Sequence, residues 1–384
     1  MLGWRTSPAR PLQLHMTVKP TVLITGVAGS LGLRLLRQLP GHQVIGVDVR
    51  EPAEPAGLFH FKKVDLAEER SCDELLELMR AYRPEAVIHL AFVMDPLASG
   101  VPDRHSMWLS NVPGSSRVSE AIAEHNRMVG GIDRFIFSSS AAVYAPRPRS
   151  VTEDATLGAH GLLYAMHQQE ADTTVRTRAA GLRRCQTYVL RSHFYGGPGA
   201  RNYALTWLRG VPDGKGRLGA RLRRRGARLP IFLPSRGGYL ENRLQFVHLD
   251  DMARLVAHIV QRTGTDPQLT VLNVAGRGES VALRRCFEIS RAETKSVPAE
   301  LVSRHAQRLL WKLGISEIPP AALPYLLGSS VMDTTRLRIF LGEHYRTIMQ
   351  HTCEEALVAS FKARQPEESK WSAATDAGAR SSSK

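Results

Sequence analysis

Three glycines near the start of the chain have the spacing of a dinucleotide-binding turn. Gly26, Gly29 and Gly32 recur at every third residue, after the β-branched and leucine run 22–24 and before the helical pattern 33–39. The first lets the chain turn out of a strand, the second lets the backbone approach a pyrophosphate, and the third lets helix and strand pack closely. The helix N-terminus then faces the anion. An ordinary glycine-rich turn is the alternative, but strand, turn and helix lie where a dinucleotide site needs them.

An acidic residue follows this turn at the separation expected for a ribose contact. Asp48 closes the second predicted strand, where a carboxylate can accept hydrogen bonds from the adenosine ribose hydroxyls and would repel a 2′-phosphate. The sequence therefore favours NAD over NADP, although Arg50 keeps NADP open. The alternative is that Asp48 only caps the strand end. Asp65, at the end of the next predicted strand, fits a contact with the edge of adenine.

Further motifs, in order along the chain, resemble those of a known family. They are Asp65-Leu66, His89-Leu90-Ala91, Asn111-Val112-Pro113-Gly114, the run from Phe135 to Tyr144, and Gln245-Phe246-Val247-His248. With the glycine turn and Asp48, they are similar to the extended short-chain dehydrogenase/reductase family, in particular the NAD-dependent epimerase/dehydratase group that includes UDP-galactose 4-epimerase. The resemblance runs from about Thr21 to Arg336 and implies a Rossmann-like fold with NAD as cofactor.

The resemblance assigns the chemistry to three residues. Ser140 would hydrogen-bond the reacting carbonyl or hydroxyl, and Tyr164 would be the general acid/base, because hydride exchange with nicotinamide requires a proton to move at the alcohol oxygen. The family pattern Tyr-x-x-x-Lys ends here in Gln168. Gln168 can keep the ribose hydrogen bonds but supplies no charge to lower the pKa of the tyrosine. We therefore expect NAD binding to be retained and hydride transfer to be slow or rerouted.

The resemblance also implies a wider cofactor and substrate site. Besides the glycines and the two acids, it assigns cofactor contacts to Ser30, Leu31, Leu66, Leu90, Ala91, Asn111, Tyr164, Gln168 and Arg191. Substrate contacts would come from Phe92, Phe194 and Tyr195. Phe194 stands where sugar-nucleotide epimerases carry an asparagine that contacts substrate. The run 140–142 lacks the acid found there in sugar 4,6-dehydratases.

Three functions remain open on these residues. The first is an NAD-dependent oxidoreductase that acts on a carbonyl or alcohol substrate with a weakened catalytic apparatus. The second is a nucleotide-sugar epimerase or dehydratase, which Phe194 and Gln168 disfavour. The third is a catalytically silent NAD-binding protein that acts as a sensor or assembly subunit. Gln168 favours this third function, whereas the retained Ser140 and Tyr164 oppose it.

The elements that must position these residues alternate between strand and helix. Short apolar strands and helical patterns follow one another from Thr21 to Leu190, which predicts an α/β fold with a doubly wound parallel sheet. The pattern divides the chain into a flexible extension (1–18), an NAD-binding Rossmann domain (19–191, with returns near 244–275), a mainly helical substrate lobe (192–362) and a disordered tail (363–384). Relatives often dimerise through long helices resembling Ser106–His125 and Leu163–Ala180, so the resemblance includes a homodimer.

Composition limits the partners. The 384 residues carry a net charge of +15 and four scattered cysteines, without a CxxC pair or clustered histidines. No apolar run reaches the ~18 residues that a membrane span needs. We therefore expect a cytoplasmic protein with reduced thiols, a small-molecule substrate and no metal site. The basic segment Lys215–Arg228 predicts a mobile loop or short hairpin, either a solvated surface or a grip for an anionic substrate. Nucleic acid is disfavoured because no aromatic residue is interleaved for base stacking.

Overall fold

A parallel seven-stranded sheet forms the centre of the protein. The structure is a computed structural model, and it describes residues 19–362 except 54, 95–102, 237 and 265. Its order, β11-β6-β5-β4-β1-β2-β3, confirms the predicted doubly wound α/β fold. The order reverses between β1 and β4, and ligands of such sheets bind beyond the carboxyl ends of the strands at this point. The strands are β1 (Thr21–Thr25), β2 (Gln43–Asp48), β3 (Leu58–Lys63), β4 (Ala86–His89), β5 (Arg134–Ser140), β6 (Gln186–Ser192) and β11 (Leu269–Val274).

Helices cover both faces of the sheet. On one face α1 (Ser30–Gln38) packs against α7 (Leu249–Gln261), and on the other α2 (Ser71–Tyr82), α3 (Arg104–Met128) and α4 (Leu163–Ala179) pack side by side. Each face has its own hydrophobic core, one including Val22 and Ile24 and the other Leu23, because successive strand residues point to opposite faces. α3 and α4 are the two predicted long helices, and a homodimer formed through them stays a prediction.

The chain after β6 adds three two-stranded sheets and further helices. The sheets pair β7 (Phe194–Gly196) with β10 (Phe246–His248), β9 (Arg243–Leu244) with β12 (Val281–Ala282), and β8 (Ile231–Pro234) with β13 (Thr294–Val297). The other helices are α5 (Tyr203–Arg209), α6 (Arg217–Arg224), α8 (Leu283–Ser290), α9 (Glu300–Lys312), α10 (Leu323–Leu327), α11 (Thr335–Leu341), α12 (Tyr345–Ile348) and α13 (Cys353–Ala359), with 3₁₀ turns at 141–144, 239–241, 320–322 and 342–344.

The domain boundaries set from the sequence stay a prediction. The extension 1–18 and the tail 363–384, predicted to be flexible and disordered, lie outside the described residues. In the part of the chain that the structure describes, no helix combines the length and the apolar character needed to cross a membrane.

The basic segment Lys215–Arg228 is not the loop or hairpin that we predicted. Its centre forms α6, because arginine, leucine and alanine favour helix. Two of the glycines that indicated a loop, Gly216 and Gly219, make close contacts instead: a Cβ on Gly219 would lie 2.6 Å from the carbonyl oxygen of Gly314. The lysine and arginine side chains of the segment are exposed, which makes it a solvated surface.

A buried ion pair fastens α4 to the sheet. Arg191, on β6, donates from Nε and Nη2 to the two carboxylate oxygens of Asp172 at 2.9 and 2.8 Å. Both side chains are fully buried. Ser139, on β5, donates to the same carboxylate at 2.7 Å, so Asp172 joins the helix to two neighbouring strands. Arg191 Nη1 also donates to Tyr144 Oη and to the carbonyl oxygen of Glu153.

We expect Asp172→Asn to lower the free energy of unfolding by about 3–5 kcal/mol, because the Arg191 charge would stay buried without a counter-charge. Urea unfolding of the full chain measures this loss. Arg176→Gln is the matched control: Arg176 bonds the same carboxylate, but its side chain is 33% exposed, so its loss should cost less than ~1 kcal/mol. Equal losses in the two variants would contradict the assignment of Arg191 as the partner that matters.

Candidate active site

A cleft opens beyond the carboxyl ends of the strands, where the sheet order reverses. Its walls come from the glycine turn, the end of β5, the start of α4 and the segment after β6. The residues predicted from the sequence that line it are Gly26, Gly29, Ser30, Leu31, Gly32, Leu90, Phe92, Ser140, Tyr164, Gln168, Phe194 and Tyr195. The cleft therefore brings together the predicted cofactor turn, the predicted reacting groups and the predicted substrate contacts.

The glycine turn has the geometry of an anion cradle. Gly26 has φ of +76°, and a Cβ there would lie 2.5 Å from the backbone nitrogen of Ala91. A Cβ on Gly32 would lie 2.4 Å from the carbonyl oxygen of Val27, where α1 packs on the turn. A Cβ on Gly29 would meet only the Gly26 carbonyl oxygen, at 3.2 Å. Gly29 precedes α1 without a side-chain cap, and the first turn holds no acid, so its N–H groups can bind an anion.

The predicted adenosine-side residues lie outside the lining of the cleft. Asp48, at the end of β2, accepts a hydrogen bond from the N–H of Ala28 at 3.0 Å, which ties it to the glycine turn. Burial raises the pKa of Asp48, and backbone hydrogen bonds from Arg50 and Ala28 oppose the rise. Asp65 is exposed and accepts from the N–H of Ala67 at 2.9 Å. The neighbouring Leu66 is buried.

Two predicted reacting groups meet on one face of α4. Gln168 Nε2 donates to Tyr164 Oη at 3.4 Å, one helical turn away. Phe92 packs edge-on against the Tyr164 ring, with centroids 5.8 Å apart. Burial raises the pKa of Tyr164 to about 12, and hydrogen bonds with Ser140 and Gln168 act in the opposite direction. At pH 7, therefore, only about one phenol in 100,000 would be ionised.

Gln168 also presents an acceptor with nothing bound to it. The residue is 2% exposed, and its Oε1 has no hydrogen-bond partner among the described residues. Buried polar atoms are normally satisfied, and exceptions mark places where a ligand or water belongs. A hydroxyl group of a molecule in the cleft would satisfy this atom.

A buried relay below the glycine turn was missed by sequence reasoning. Ser115 Oγ donates to the Asn111 carbonyl oxygen at 2.6 Å and therefore accepts from His89 Nε2 at 2.9 Å. His89 Nδ1 in turn accepts from Thr25 Oγ1 at 2.6 Å. Burial lowers the pKa of His89 to about 3, so the ring is neutral. A histidine inside an otherwise apolar strand is its only signal in the sequence.

Two residues predicted to contact the cofactor lie behind the cleft instead. The fully buried Asn111 side chain accepts from the N–H of Val93 at 2.7 Å and donates to the Val93 carbonyl oxygen at 2.9 Å. It thus holds the segment that carries Phe92. Arg191 is engaged by Asp172, because side chains alternate along β6 and it is Ser192 that lines the cleft. Both residues are positioning residues.

The cleft carries little charge. Among its lining residues in the described part of the chain, Arg201 is the only aspartate, glutamate, lysine or arginine. None of residues 215–228 lines the cleft, so the basic segment does not provide the grip for an anionic substrate that the sequence left open.

A second cluster of polar side chains fastens the start of α7. The ligand-type atoms of His248, Asp251 and His351 lie within 4.8 Å of one another. Asp251 accepts hydrogen bonds from His351 Nδ1 at 2.8 Å and from Arg254. The two imidazoles stack with centroids 3.9 Å apart, and His248 Nδ1 accepts from the N–H of Asp250. Because protein partners engage these groups, we assign the cluster a structural role.

Comparison with known proteins agrees with the fold. The model of the NAD-dependent epimerase/dehydratase family matches residues 22–275, which include the glycine turn, Ser140 and Tyr164. No curated protein matches the chain in sequence.

Several solved structures share the fold. UDP-glucose 4-epimerase of Thermotoga maritima, solved with UDP-glucose, has 18% identity and a TM-score of 0.59, over 89% of this chain and 97% of its own. dTDP-glucose 4,6-dehydratase of Bacillus anthracis, solved with NAD, has 14% identity and a TM-score of 0.61, over 92% and 99%. The enzyme WbmH of Bordetella bronchiseptica, solved with NAD+, has 18% identity and a TM-score of 0.60, over 89% and 97%. At such identities these likenesses establish the fold alone.

We expect Gly29→Ala to keep the thermal unfolding midpoint nearly unchanged and to weaken NAD+ binding about tenfold or more. The added methyl group would stand in front of the α1 N-terminus, and its one close contact, 3.2 Å to the Gly26 carbonyl oxygen, is milder than those of a Cβ on Gly32. Gly32→Ala is the control, because its Cβ would press on the Val27 backbone and lower the midpoint itself. Calorimetric titration and a thermal melt of each variant separate the two effects, and undiminished NAD+ binding by Gly29→Ala would contradict the cradle.

Proposed function

The chain belongs to the NAD-dependent epimerase/dehydratase family, and on that premise we propose that it is an NAD-dependent oxidoreductase that interconverts an alcohol and a carbonyl group. The reacting oxygen would lie between Ser140 and Tyr164. The observation that carries this proposal is the meeting of three groups in one cleft with the glycine turn: the Ser140 hydroxyl, the Tyr164 phenol and the unpartnered Gln168 Oε1.

The described residues fit the cofactor. Gly29 and the uncapped start of α1 would hold the pyrophosphate, and Gln168 Oε1 would accept from a nicotinamide ribose hydroxyl. Asp48 would accept from the adenosine ribose, and its carboxylate disfavours the 2′-phosphate of NADP. When bound, NAD supplies the hydride acceptor in one direction and the hydride donor in the other.

The roles of the reacting residues follow from their protonation. With a pKa of about 12, Tyr164 is a phenol at neutral pH and can donate a proton to the oxygen of a carbonyl that is being reduced. Ser140 would hold the same oxygen by a hydrogen bond. In the oxidation direction Tyr164 must first lose its proton, and Gln168 offers only a neutral hydrogen bond to stabilise the phenolate. We therefore propose that oxidation at pH 7 is slow and that reduction is the favoured direction.

A nucleotide-sugar epimerase or dehydratase activity is the second candidate. The family assignment and the likeness to structures solved with UDP-glucose support it. Phe194 opposes it, because a phenylalanine ring in the cleft cannot replace the amide hydrogen bonds of the asparagine that sugar-nucleotide epimerases carry there. A silent NAD-binding role is the third, favoured by the missing charge at Gln168. NADH consumption in a screen of carbonyl compounds would exclude the third candidate.

We expect Tyr164→Phe to lower NADH-dependent carbonyl reduction at least about 100-fold, because it removes the proton donor. Its affinity for NAD+, measured by calorimetry, should stay within about twofold, since no anion contact is lost. Tyr239→Phe is the matched control, because the Tyr239 hydroxyl donates to Glu300 outside the cleft. Full activity of Tyr164→Phe would overturn the assignment of the proton donor.

We expect Gln168→Lys to shift the pH profile of alcohol oxidation by about 1–3 units toward lower pH, because a nearby ammonium group favours the phenolate. The native rate should still be climbing at about pH 10, since Tyr164 ionises with a pKa of about 12 and the base form grows as pH rises. Gln168→Met keeps the side-chain length without charge and should not produce the shift. Identical profiles for all three proteins would contradict the role assigned to Gln168.

A further inference from the structure

Beyond the reacting groups, the wall of the cleft is made mostly of apolar surface. The polar lining residues that we assign to the reacting oxygen and to the cofactor are Ser140, Tyr164 and Gln168. The aromatic and aliphatic side chains of the wall are those of Phe92, Met94, Phe194, Tyr203, Tyr325 and Leu326, among others. A ligand in such a cleft would be oriented by its one polar group, while the rest of its surface would contact the apolar wall.

Two tyrosines of this wall have hydroxyl groups that are engaged by the backbone. Tyr325 Oη donates to the His160 carbonyl oxygen at 3.0 Å and accepts from the His160 N–H at 3.1 Å. Tyr203 Oη donates to the Met94 carbonyl oxygen at 3.3 Å. What these two side chains offer a ligand is therefore the surface of their rings.

Two further polar side chains of the wall, those of His193 and Asn202, are also engaged by the protein. His193 Nε2 donates to the Ser330 carbonyl oxygen at 2.9 Å, and its Nδ1 accepts from the N–H of Phe194 at 2.9 Å. Burial lowers the pKa of His193 to about 4, so the ring is neutral. Asn202 accepts from the N–H of Leu205 and donates to the Tyr195 carbonyl oxygen.

An anionic ligand would find a single cationic side chain along the described part of this wall. A diphosphate group brings negative charge into a site, which is costly unless cations and hydrogen-bond donors meet it. Arg201 is the only charged side chain among the described lining residues, and it is exposed.

We propose that the substrate is an uncharged, largely apolar alcohol or ketone, with its oxygen at Tyr164 and its hydrocarbon body against Phe92, Phe194 and Tyr325. This inference rests on the proposed oxidoreductase function and adds the substrate class. In the oxidation, the alcohol carbon loses its hydrogen with two electrons to NAD+, which becomes NADH. The hydroxyl proton leaves through Tyr164 to water, and the product is the ketone. The reduction is the reverse.

Linear methyl ketones from 2-pentanone to 2-nonanone test the proposal by direct binding. Calorimetric titrations of the full chain, with and without NADH, should show a dissociation constant that falls about fourfold per added CH₂. The heat-capacity change of binding should be negative, as for buried apolar surface. UDP and UDP-glucose should not compete with 2-nonanone. A flat series, or UDP binding that weakens more than about tenfold in Arg201→Gln, overturns the proposal in favour of a diphosphate ligand.

Two variants assign the binding to the apolar wall. Phe194→Asn should weaken 2-nonanone binding about tenfold or more, whereas Phe194→Leu, which stays apolar, should remain within about threefold of the native protein. Phe92→Ser repeats the test at a second position should Phe194→Asn fail to fold. Unchanged binding in folded Phe194→Asn or Phe92→Ser counts against the proposal. If the ketones bind more tightly with each added CH₂ but no NADH is consumed, the ligand class is supported and the oxidoreductase function is overturned. Failure of the proposed substrate class and failure of the proposed function are therefore distinguishable.

Discussion

The carboxylate of Asp172 sets the positions of the groups that meet in the cleft. Tyr164, Gln168 and Asp172 follow one another at intervals of four residues, so they share one face of α4. The last of the three is bonded to Arg191 on β6 and to Ser139 on β5. Because one buried group bonds both strands, the helix cannot slide or rotate without breaking charged hydrogen bonds. A buried ion pair adds little net stability, and its value here is in fixing the register of α4.

The electrostatics of the cleft separate cofactor binding from chemistry. Binding depends on the backbone: the glycine turn and the uncapped start of α1 supply N–H groups and a helix dipole, which do not change with the side chains around them. The proton transfer that we propose depends on the local field at Tyr164, where burial opposes ionisation and no described cation offsets it. The chain can therefore bind NAD tightly even where proton transfer is slow. A low rate need not be accompanied by a low affinity for NAD.

Local constraints made much of the site predictable from the sequence. The glycine turn was identified because three glycines satisfy steric demands within one strand–turn–helix unit, and Tyr164 and Gln168 because a spacing of four on a helix fixes their proximity. Arg191 and Asn111 were predicted to contact the cofactor but lie behind the cleft, because the side of a strand or helix that faces a ligand depends on what packs against the other side. The segment 215–228 was predicted as a loop or hairpin because it contains glycines. Gly216 and Gly219 instead pack against Gly314, a contact between parts of the chain that are distant in sequence.

The hydrogen bonds from Thr25 to Asn111 all point the same way, and this polarity has a consequence of its own. Each member gives its proton to the next, so His89 is confined to one tautomer by its neighbours on both sides. If one of these hydroxyl groups is replaced by an isosteric methyl group, the effect is not limited to one hydrogen bond. One imidazole nitrogen loses its partner, and the ring cannot compensate by exchanging the donor and acceptor roles of its two nitrogens. The effects of substitutions at Thr25, His89 and Ser115 on stability should therefore be non-additive, because the three side chains form one hydrogen-bonded unit beneath the cofactor turn.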